Sequence, residues 1–285
     1  MVSHHGFGKI ILFGEHFVVY GCKAIASAID KKTIVHAKKT SNGIKVVSGA
    51  KDPVVVSQMA KAIAQKMQVD QNFEIKIDSD IPVGSGLGSS ASLNVGIAKA
   101  LNELFKKNLS LQEICDAAYE GEKVAHGTPS GIDNTVATYG GILFFKKNLQ
   151  DGANFIETKK ISKPISIVIA NSGKHGSTKE MVALVREKKE KNPQWFEELL
   201  NKENKIIQKA QKALQQNDLD SLGKLMNENH ALLKEIGVST PELELLVKTC
   251  LENGALGAKI TGGGGGGCIF ALTKPSNQNA IAKAI

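Results

Sequence analysis

The sequence predicts an α+β protein with two domains, and three features indicate it. The first half opens with short apolar or alternating segments typical of strands, at residues 9–13, 33–37, 44–47 and 73–77. Four segments with the apolar spacing of helices dominate the second half. A polar, irregular stretch at residues 146–163 predicts a boundary between a domain of residues 1–155 and one of residues 156–285.

Helices complete the first half of the chain. Pro53 suits the first turn of a helix, where its missing N–H costs nothing. Ser110 and Glu113 have the spacing of a capping box, which marks a second start. The predicted helices span residues 53–67, 91–105, 111–124 and about 129–140, and a strand follows at 142–145.

The second half begins with a strand and continues with helices. Ser177 with Glu180, and Ser239 with Glu242, repeat the capping-box spacing. The predicted strands are 165–170, 258–260 and 268–272, and the predicted helices are 178–191, 193–216, 219–236 and 241–253. The last residues before Ile285 have helical character.

Composition excludes several classes of protein. The 285 residues are 42% hydrophobic, which suffices for a buried core. We expect no membrane partner, because no apolar run approaches the roughly 20 residues that span a bilayer. The N-terminus has no hydrophobic signal region, and the four cysteines are scattered among apolar neighbours. A cytoplasmic protein with reduced thiols is the expectation.

The net charge of +8 could indicate nucleic-acid binding. However, the lysines are spread through helices in which acidic residues interleave, and aromatic residues make up only 5% of the chain. That is too few for an evident base-stacking surface. A basic surface that attracts small anions explains the charge better, so we expect no nucleic-acid partner.

The loop at residues 82–91 is the first candidate binding site. It lies between a predicted strand and a predicted helix, and it contains Gly84, Gly86 and Gly88. Glycines let the backbone approach a phosphate closely, and the N–H groups of a helix start point at it. Ser89 and Ser90 could reach a phosphate or its metal ion. A tight turn without a ligand is the alternative.

Two further segments carry charged residues beside apolar ones. Lys9 begins a buried strand, and Glu15-His16 follows its end, where charged residues could also be a solvated strand edge. Glu122 and Asp133 bracket a turn rich in glycine, proline and serine. Glu122 and Ser90 offer the hard oxygen ligands that Mg²⁺ prefers. Alternatively, Asp133 only complements a helix dipole.

Six consecutive glycines, residues 262–267, stand between two predicted strands and follow Lys259 and Thr261. Each glycine costs backbone entropy, so packing does not explain the run. A sharp turn with close backbone approach to a ligand or to the other domain is favoured over a flexible linker, because strands flank it.

These segments, in this order, resemble the GHMP family of small-molecule kinases. The resemblance covers nearly the whole chain and rests on residues 8–21, 82–91 and 259–268, with support from 129–134. The chain departs from the family in two places. Phe7 stands where the family usually has proline before Gly-Lys, and Gly263 stands where it usually has alanine.

The resemblance implies roles for individual residues. The loop that binds the ATP phosphates would comprise Gly84, Ser85, Gly86, Leu87, Gly88, Ser89 and Ser90. The Mg²⁺ ligands would be Ser90 and Glu122. The catalytic residues would be Asp133 and, paired with it, Lys9. The residues that contact the acceptor substrate would be Glu15, His16, Ser130 and Thr178.

The resemblance also implies a fold and an activity. The N-terminal domain would be similar to the second domain of ribosomal protein S5, and the C-terminal domain would be ferredoxin-like, with its last strand missing from this chain. The acceptor would be mevalonate, phosphorylated by ATP on its primary hydroxyl in isoprenoid synthesis. A homodimer is an open expectation.

Two other functions stay open at this stage. Another kinase of the same family could act on homoserine or phosphomevalonate, although the segment at residues 14–19 favours mevalonate. A ligand sensor with the same fold could lack catalysis. A sensor has no need to keep Lys9, Ser90, Glu122 and Asp133 together, so the enzyme is favoured.

Overall fold

The computed structural model describes residues 1–127, 129–150, 154–159 and 163–285. These residues form two compact units. The first unit comprises Met1–Lys9, Ser27–Val83 and Leu87–Ile142. The second comprises Ile10–Ala26, Gly84–Gly86 and Leu143–Ile285. The units are defined by compactness, so the boundary between residues 155 and 156 stays a prediction.

The first part of the chain contains six strands and four α-helices among the described residues. In order they are β1 Val2–Phe13, β2 Lys23–Lys39, β3 Lys45–Ser48, α1 Pro53–Met67, β4 Phe73–Ser79, α2 Ser89–Leu104, α3 Leu111–His126, α4 Ile132–Tyr139, β5 Ile142–Lys146 and β6 Phe155–Lys159. A short 3₁₀ helix, Phe17–Tyr20, stands between β1 and β2. The strand order is β3-β4-β2-β5-β6, and β1 pairs with β2.

An alternation of buried and exposed side chains explains why β2 and β4 pair in the first unit. β2 and β4 run antiparallel, with Val35 opposite Ile77 and Ala37 opposite Ile75. All four are buried, whereas the intervening Lys76 is exposed, as expected for a sheet with one covered face. Helices α1, α2 and α3 supply most of the rest of this apolar core, and α4 contributes Ala137.

The second unit is dominated by helices. Its described elements are β7 Ile167–Asn171, α5 Thr178–Lys191, α6 Pro193–Gln216, α7 Leu219–Glu235, α8 Pro241–Glu252, β8 Gly257–Ile260, β9 Cys268–Leu272 and α9 Gln278–Ala284, with a 3₁₀ turn at Pro275–Asn277. The strand order is β7-β9-β8, with both pairs antiparallel. The central strand β9 is buried along its whole length. Strands and helices in both units confirm the predicted α+β class.

Side-chain caps explain where several helices begin. The Ser110–Glu113 capping box is present at α3, and Ser177 accepts a hydrogen bond from the Glu180 N–H at α5. The prediction that Ser239 caps α8 is wrong. Its hydroxyl instead donates to Glu244 Oε1 at 2.6 Å, and Thr240 is the cap.

Three strands differ from the sequence-based expectation. β1 and β2 are longer than predicted, because the charged run at residues 30–32 hides the continuity of β2. β6 lies in the stretch predicted to be irregular, of which residues 151–153 and 160–162 lie outside the described part. Phe155 and Ile156 in β6 are about half exposed, so backbone pairing rather than core burial accounts for this strand. No helix of the described residues is long and apolar enough to cross a membrane.

A buried serine joins three elements of the first unit. The Ser92 hydroxyl, on α2, donates to the Gly6 carbonyl at 2.7 Å and accepts from the Thr33 N–H at 3.1 Å. Ser92 is fully buried, so neither backbone group has water as a substitute.

We expect Ser92→Ala to lower the free energy of unfolding by about 1–3 kcal/mol, because it leaves the Gly6 and Thr33 groups unsatisfied. Urea denaturation measures this change. Ser41→Ala, at an exposed position, is the control and should change stability by less than about 0.5 kcal/mol. Equal stability of the two variants would contradict the importance of this contact.

Candidate functional site

An ion pair between Lys9 and Asp133 lies in the first unit. Lys9 is on β1, and Asp133 is in the first turn of α4. Lys9 Nζ is 3.3 Å from Asp133 Oδ2; the lysine side chain is 5% exposed, and that of the aspartate is 36% exposed. The Lys9 N–H donates to the Leu87 carbonyl at 2.9 Å, which ties the strand to the glycine loop. The carboxylate is thus held by a buried cation but remains accessible.

Gly88 explains how the loop and the ion pair come so close. Its φ is +76°, in the left-handed region that favours glycine. A Cβ at this position would lie 2.9 Å from Lys9 Cγ and 3.8 Å from Asp133 Oδ2. Gly84 and Gly86 also have positive φ, and helix α2 begins at Ser89. The helix start and its N–H groups therefore lie beside the Lys9–Asp133 pair.

A second polar group in the first unit joins α2 to α3. The Ser90 hydroxyl, on α2, is 3.3 Å from Glu122 Oε2 and 3.0 Å from His126 Nε2. Asn94, one turn further along α2, donates from Nδ2 to Glu122 Oε1 at 2.8 Å. One carboxylate oxygen is therefore held by the amide, and the other faces the serine hydroxyl.

The environment of Glu122 suits a cation. Burial raises the pKa of Glu122, and the negative charge of Asp133 raises it further. A cation at Glu122 would favour the ionised form. The oxygens of Ser90 and Glu122 are the hard ligands that Mg²⁺ takes, and Mg²⁺ fills its other positions with water and phosphate oxygens. Among the described residues, no group of three or more His, Cys, Asp or Glu side chains could hold a metal. The donor set fits Mg²⁺ bound together with a phosphate.

A buried ion pair holds Glu15 in the second unit. Lys259 Nζ on β8 donates to Glu15 Oε1 and, at 2.7 Å, to the Ile260 carbonyl. Both side chains are almost completely buried. Burial lowers the pKa of Lys259, and the Glu15 carboxylate opposes that shift. Next to this pair, Glu203 on α6 accepts from the Gly14 N–H at 3.0 Å.

His16 is fixed by the glycine run. Its Nε2 is 2.8 Å from the Gly263 carbonyl, and a carbonyl only accepts, so Nε2 carries a proton. Burial lowers the pKa of His16, and the hydrogen bond to Gly263 opposes that shift. A neutral ring then presents Nδ1 as an acceptor. His16 has a φ of +60°, uncommon for a non-glycine residue, which indicates that its surroundings hold it in place.

Thr178 gives a reason for one departure from the family pattern. A Cβ at Gly263 would lie 2.6 Å from Thr178 Oγ1 and 3.0 Å from Thr178 Cα. The alanine usual in the family would therefore clash with the first turn of α5. Gly263 lets α5 and the glycine run approach closely.

The structure brings together some of the predicted residues. Lys9 pairs with Asp133, and Ser90 contacts Glu122, all within the first unit. Ser130 accepts from the Ile132 N–H at 3.3 Å, at the start of α4. Within the loop, Leu87, Gly88, Ser89 and Ser90 belong to the first unit and Gly84, Ser85 and Gly86 to the second. Glu15, His16 and Thr178 belong to the second unit.

Four contact residues were not predicted. Asn94 and His126 lie one helical turn from Ser90 and Glu122, so the i, i+4 spacing could have indicated them. Lys259 precedes the glycine run and is a charged residue between apolar ones, which is also a detectable signal. Glu203 lies in a long helix with many other charges, and nothing local distinguishes it.

Comparisons with known proteins show which family this chain resembles along its length. Sequence profiles described as "GHMP kinases N terminal domain" and "GHMP kinases C terminal" match residues 54–141 and 210–285. A mevalonate kinase of Thermococcus onnurineus is 41% identical, and one of Thermococcus sibiricus is 38% identical. Each alignment covers 97% of this chain and 90% of the relative.

A solved structure extends the similarity to three dimensions. The mevalonate kinase of L. major in complex with R-mevalonate is 35% identical and superposes with a TM-score of 0.92. The match covers 100% of this chain and 91% of the other. The likeness in fold confirms the predicted two-domain architecture.

We expect Asp133→Asn to lower the pKa of Glu122, because it removes a negative charge that disfavours ionisation of this buried carboxyl. A titration followed by NMR with carbon-labelled glutamate measures the change. Asp116→Asn, at an exposed position on α3, is the control and should leave the Glu122 titration as in the wild type. A rise of the Glu122 pKa in the Asp133 variant would contradict this account.

Proposed function

This chain belongs to the GHMP kinase family, and we propose that it transfers the terminal phosphoryl group of ATP to the primary hydroxyl of mevalonate. Its full-length relatives at 38–41% identity are mevalonate kinases, and the L. major structure contains R-mevalonate. The product would be 5-phosphomevalonate, an intermediate of isoprenoid synthesis.

The observation that carries this proposal is the Lys9–Asp133 pair beside the glycine loop. Phosphoryl transfer needs an oriented hydroxyl and positive charge near the moving group, and little covalent chemistry from the protein. Asp133 is partly exposed and can accept a hydrogen bond from the substrate hydroxyl. Lys9, 3.3 Å from Asp133, adds a fixed positive charge in a place largely shielded from water.

In the proposed reaction, Asp133 orients the primary hydroxyl and takes its proton as the new O–P bond forms and the bond from the terminal phosphorus to the β-phosphate oxygen breaks, which releases ADP. The N–H groups at the start of α2 and the Lys9 ammonium stabilise charge on the phosphoryl oxygens. Gly88 allows the phosphate to approach because it presents no side chain. These roles, and those of Gly84, Ser85, Gly86, Leu87 and Ser89 in binding ATP, are proposals.

Ser90 and Glu122 are the residues that would hold Mg²⁺. When bound, the ion would neutralise phosphate charge and fix the phosphate geometry. Asn94 keeps one Glu122 oxygen in place, so the other can serve as a ligand. The Ser90–His126 hydrogen bond would have to yield to a metal on the hydroxyl oxygen.

Substrate contacts and location complete the proposal. Glu15, His16, Ser130 and Thr178 are proposed to contact mevalonate. The neutral His16 ring offers Nδ1 as an acceptor for a substrate hydroxyl. A cytoplasmic location and the absence of nucleic-acid or membrane partners are also proposals, supported by the composition. A homodimer is a further proposal.

We expect the wild type to release ADP with mevalonate, and not with homoserine, galactose or phosphomevalonate, in the presence of Mg-ATP. Asp133→Asn should lower kcat by roughly a hundredfold or more, the scale of losing a proton-accepting group. A coupled ADP-release assay measures both. Asp116→Asn is the matched control and should keep the wild-type kcat.

Two results would reject this proposal. Absence of turnover with mevalonate above background would reject the substrate, and turnover with another alcohol would name the replacement. Near wild-type turnover by the Asp133→Asn variant would reject the role of Asp133 while leaving the substrate assignment intact.

We expect Glu122→Gln to raise the Mg²⁺ concentration that gives half-maximal activity by about tenfold or more, because the amide is a weaker ligand than a carboxylate. A Mg²⁺ titration at saturating ATP and mevalonate measures this. Glu120→Gln, on the same helix and paired with Lys123, should leave the Mg²⁺ requirement unchanged. Identical titrations for the two variants would count against Glu122 as a ligand.

A further inference from the structure

Three charge-bearing side chains are buried together in the second unit. Glu15 is 2% exposed, and Glu203 and Lys259 are 0% exposed. They bring two carboxyl groups and a single ammonium group into a region shielded from solvent. Such groups require a matching partner or must lose their charge.

The Lys259 ammonium group forms its ion pair with Glu15. Lys259 Nζ donates to Glu15 Oε1 and to the Ile260 carbonyl, and its side chain also lies 5.4 Å from the Phe270 ring centroid. The hydrogen-bonding partners of Glu203 are elsewhere. The two carboxyl groups are therefore not equivalent, and only Glu15 has a direct counterion.

Glu203 contacts uncharged donors. Its Oε1 accepts from the Gly14 N–H at 3.0 Å, and its Oε2 lies 2.7 Å from Asn229 Nδ2 on α7. Cys22 is close enough to be affected by the charge of Glu203, and burial raises the pKa of this thiol to about 12, so it supplies no counterion. Burial raises the pKa of Glu203 to about 7, helped by the Glu15 charge and opposed by the Asn229 hydrogen bond and Lys259.

The neighbouring histidine does not supply a counterion to Glu203. His230, next to Asn229 on α7, has its Nε2 2.9 Å from Glu244 Oε1. Burial lowers the pKa of His230 in spite of that contact.

The Asn229 amide can accept a hydrogen bond from a protonated Glu203 side chain. In the described orientation, Asn229 Oδ1 is buried without a hydrogen-bond partner. Turning the amide by half a rotation places Oδ1 where Nδ2 lies, 2.7 Å from Glu203 Oε2. That distance is usual for an O–H···O hydrogen bond. The hydroxyl on Oε2 would then donate to Asn229, and Oε1 would accept from Gly14.

We propose that Glu203 is a positioning residue that works as an uncharged carboxylic acid. It holds the Gly14 backbone, leaves the Lys259 ammonium to Glu15, and thereby fixes the Glu15-His16 pair. Ionisation of Glu203 would place a second negative charge beside Glu15 with one ammonium for both. The part of this inference that concerns mevalonate rests on the proposed function, and the part that concerns the proton does not.

The first experiment tests the proton on Glu203 through stability. Because the folded pKa is raised above the unfolded value, the wild type loses stability relative to Glu203→Gln as pH rises from about 4.5 to about 7. Above that window the difference should stay constant. Melting temperatures of the two proteins across this range measure it, and Glu198→Gln, exposed on the same helix, should follow the wild type.

The second experiment tests positioning. Glu203→Gln can still accept from Gly14 and donate to Asn229, so the His16 ring resonances in NMR and the KM for mevalonate should remain close to the wild type near pH 6. Glu203→Leu cannot accept from Gly14, and we expect shifted His16 resonances and a KM raised by about tenfold, with a smaller change in kcat. At about pH 9 Glu203 is ionised in the wild type but glutamine stays neutral. The KM for mevalonate of the full-length Glu203→Gln variant should therefore be lower than that of the full-length wild type.

Several outcomes would overturn the inference. A melting-temperature difference between wild type and Glu203→Gln that does not change with pH would reject the uncharged acid. Wild-type His16 resonances in Glu203→Leu would reject the positioning role. If Glu203→Leu does not fold, altered His16 resonances in Glu203→Gln near pH 6 would reject the positioning role instead. A wild type inactive toward mevalonate would reject the proposed function, while the stability and NMR comparisons would still decide this inference.

Discussion

Burial of charge is the constraint on which this structure depends. Among the described residues, five Lys and Glu side chains are buried: Lys9, Glu15, Glu122, Glu203 and Lys259. Each would strongly destabilise the fold without a partner, because the protein interior solvates a charged group much less well than water does. Two of them, Lys9 and Glu122, lie in the first unit, and the other three lie in the second, in each case among the candidate functional residues of that unit. The sequence therefore concentrates its most costly side chains where phosphoryl transfer and substrate binding are proposed.

Four carboxyl groups, two in each unit, are distinguished by their surroundings. Asp133 is the most exposed and has a lysine partner, which suits a group that meets a substrate hydroxyl. Glu122 is buried and held by Asn94 but has no lysine, which suits a ligand awaiting a cation. Glu15 has a buried counterion, and Glu203 has uncharged donors alone. One functional group thus serves four purposes because the environment sets its charge and access.

The sequence-based predictions succeeded where the signal is local. The Ser110–Glu113 box and the helix start at Pro53 were predicted from spacing within one turn, and the structure contains both. They failed where neighbours in space decide the conformation. The continuity of β2 through residues 30–32 depends on pairing with other strands, and β6 forms although its apolar side chains are half exposed. Thr240 rather than Ser239 caps α8 because Glu244 engages the serine.

The sequence by itself determined the α+β class, most helices, the glycine loop and the family resemblance, because these depend on short-range patterns of residue type. Only the tertiary structure decided which buried polar groups meet. Lys259 is 244 residues from Glu15 along the chain, and Glu203 is 189 residues from Gly14. Contacts at such separations leave no periodic signal in a single sequence. They follow from which helices and strands pack together, and this packing assigns each buried charge its partner.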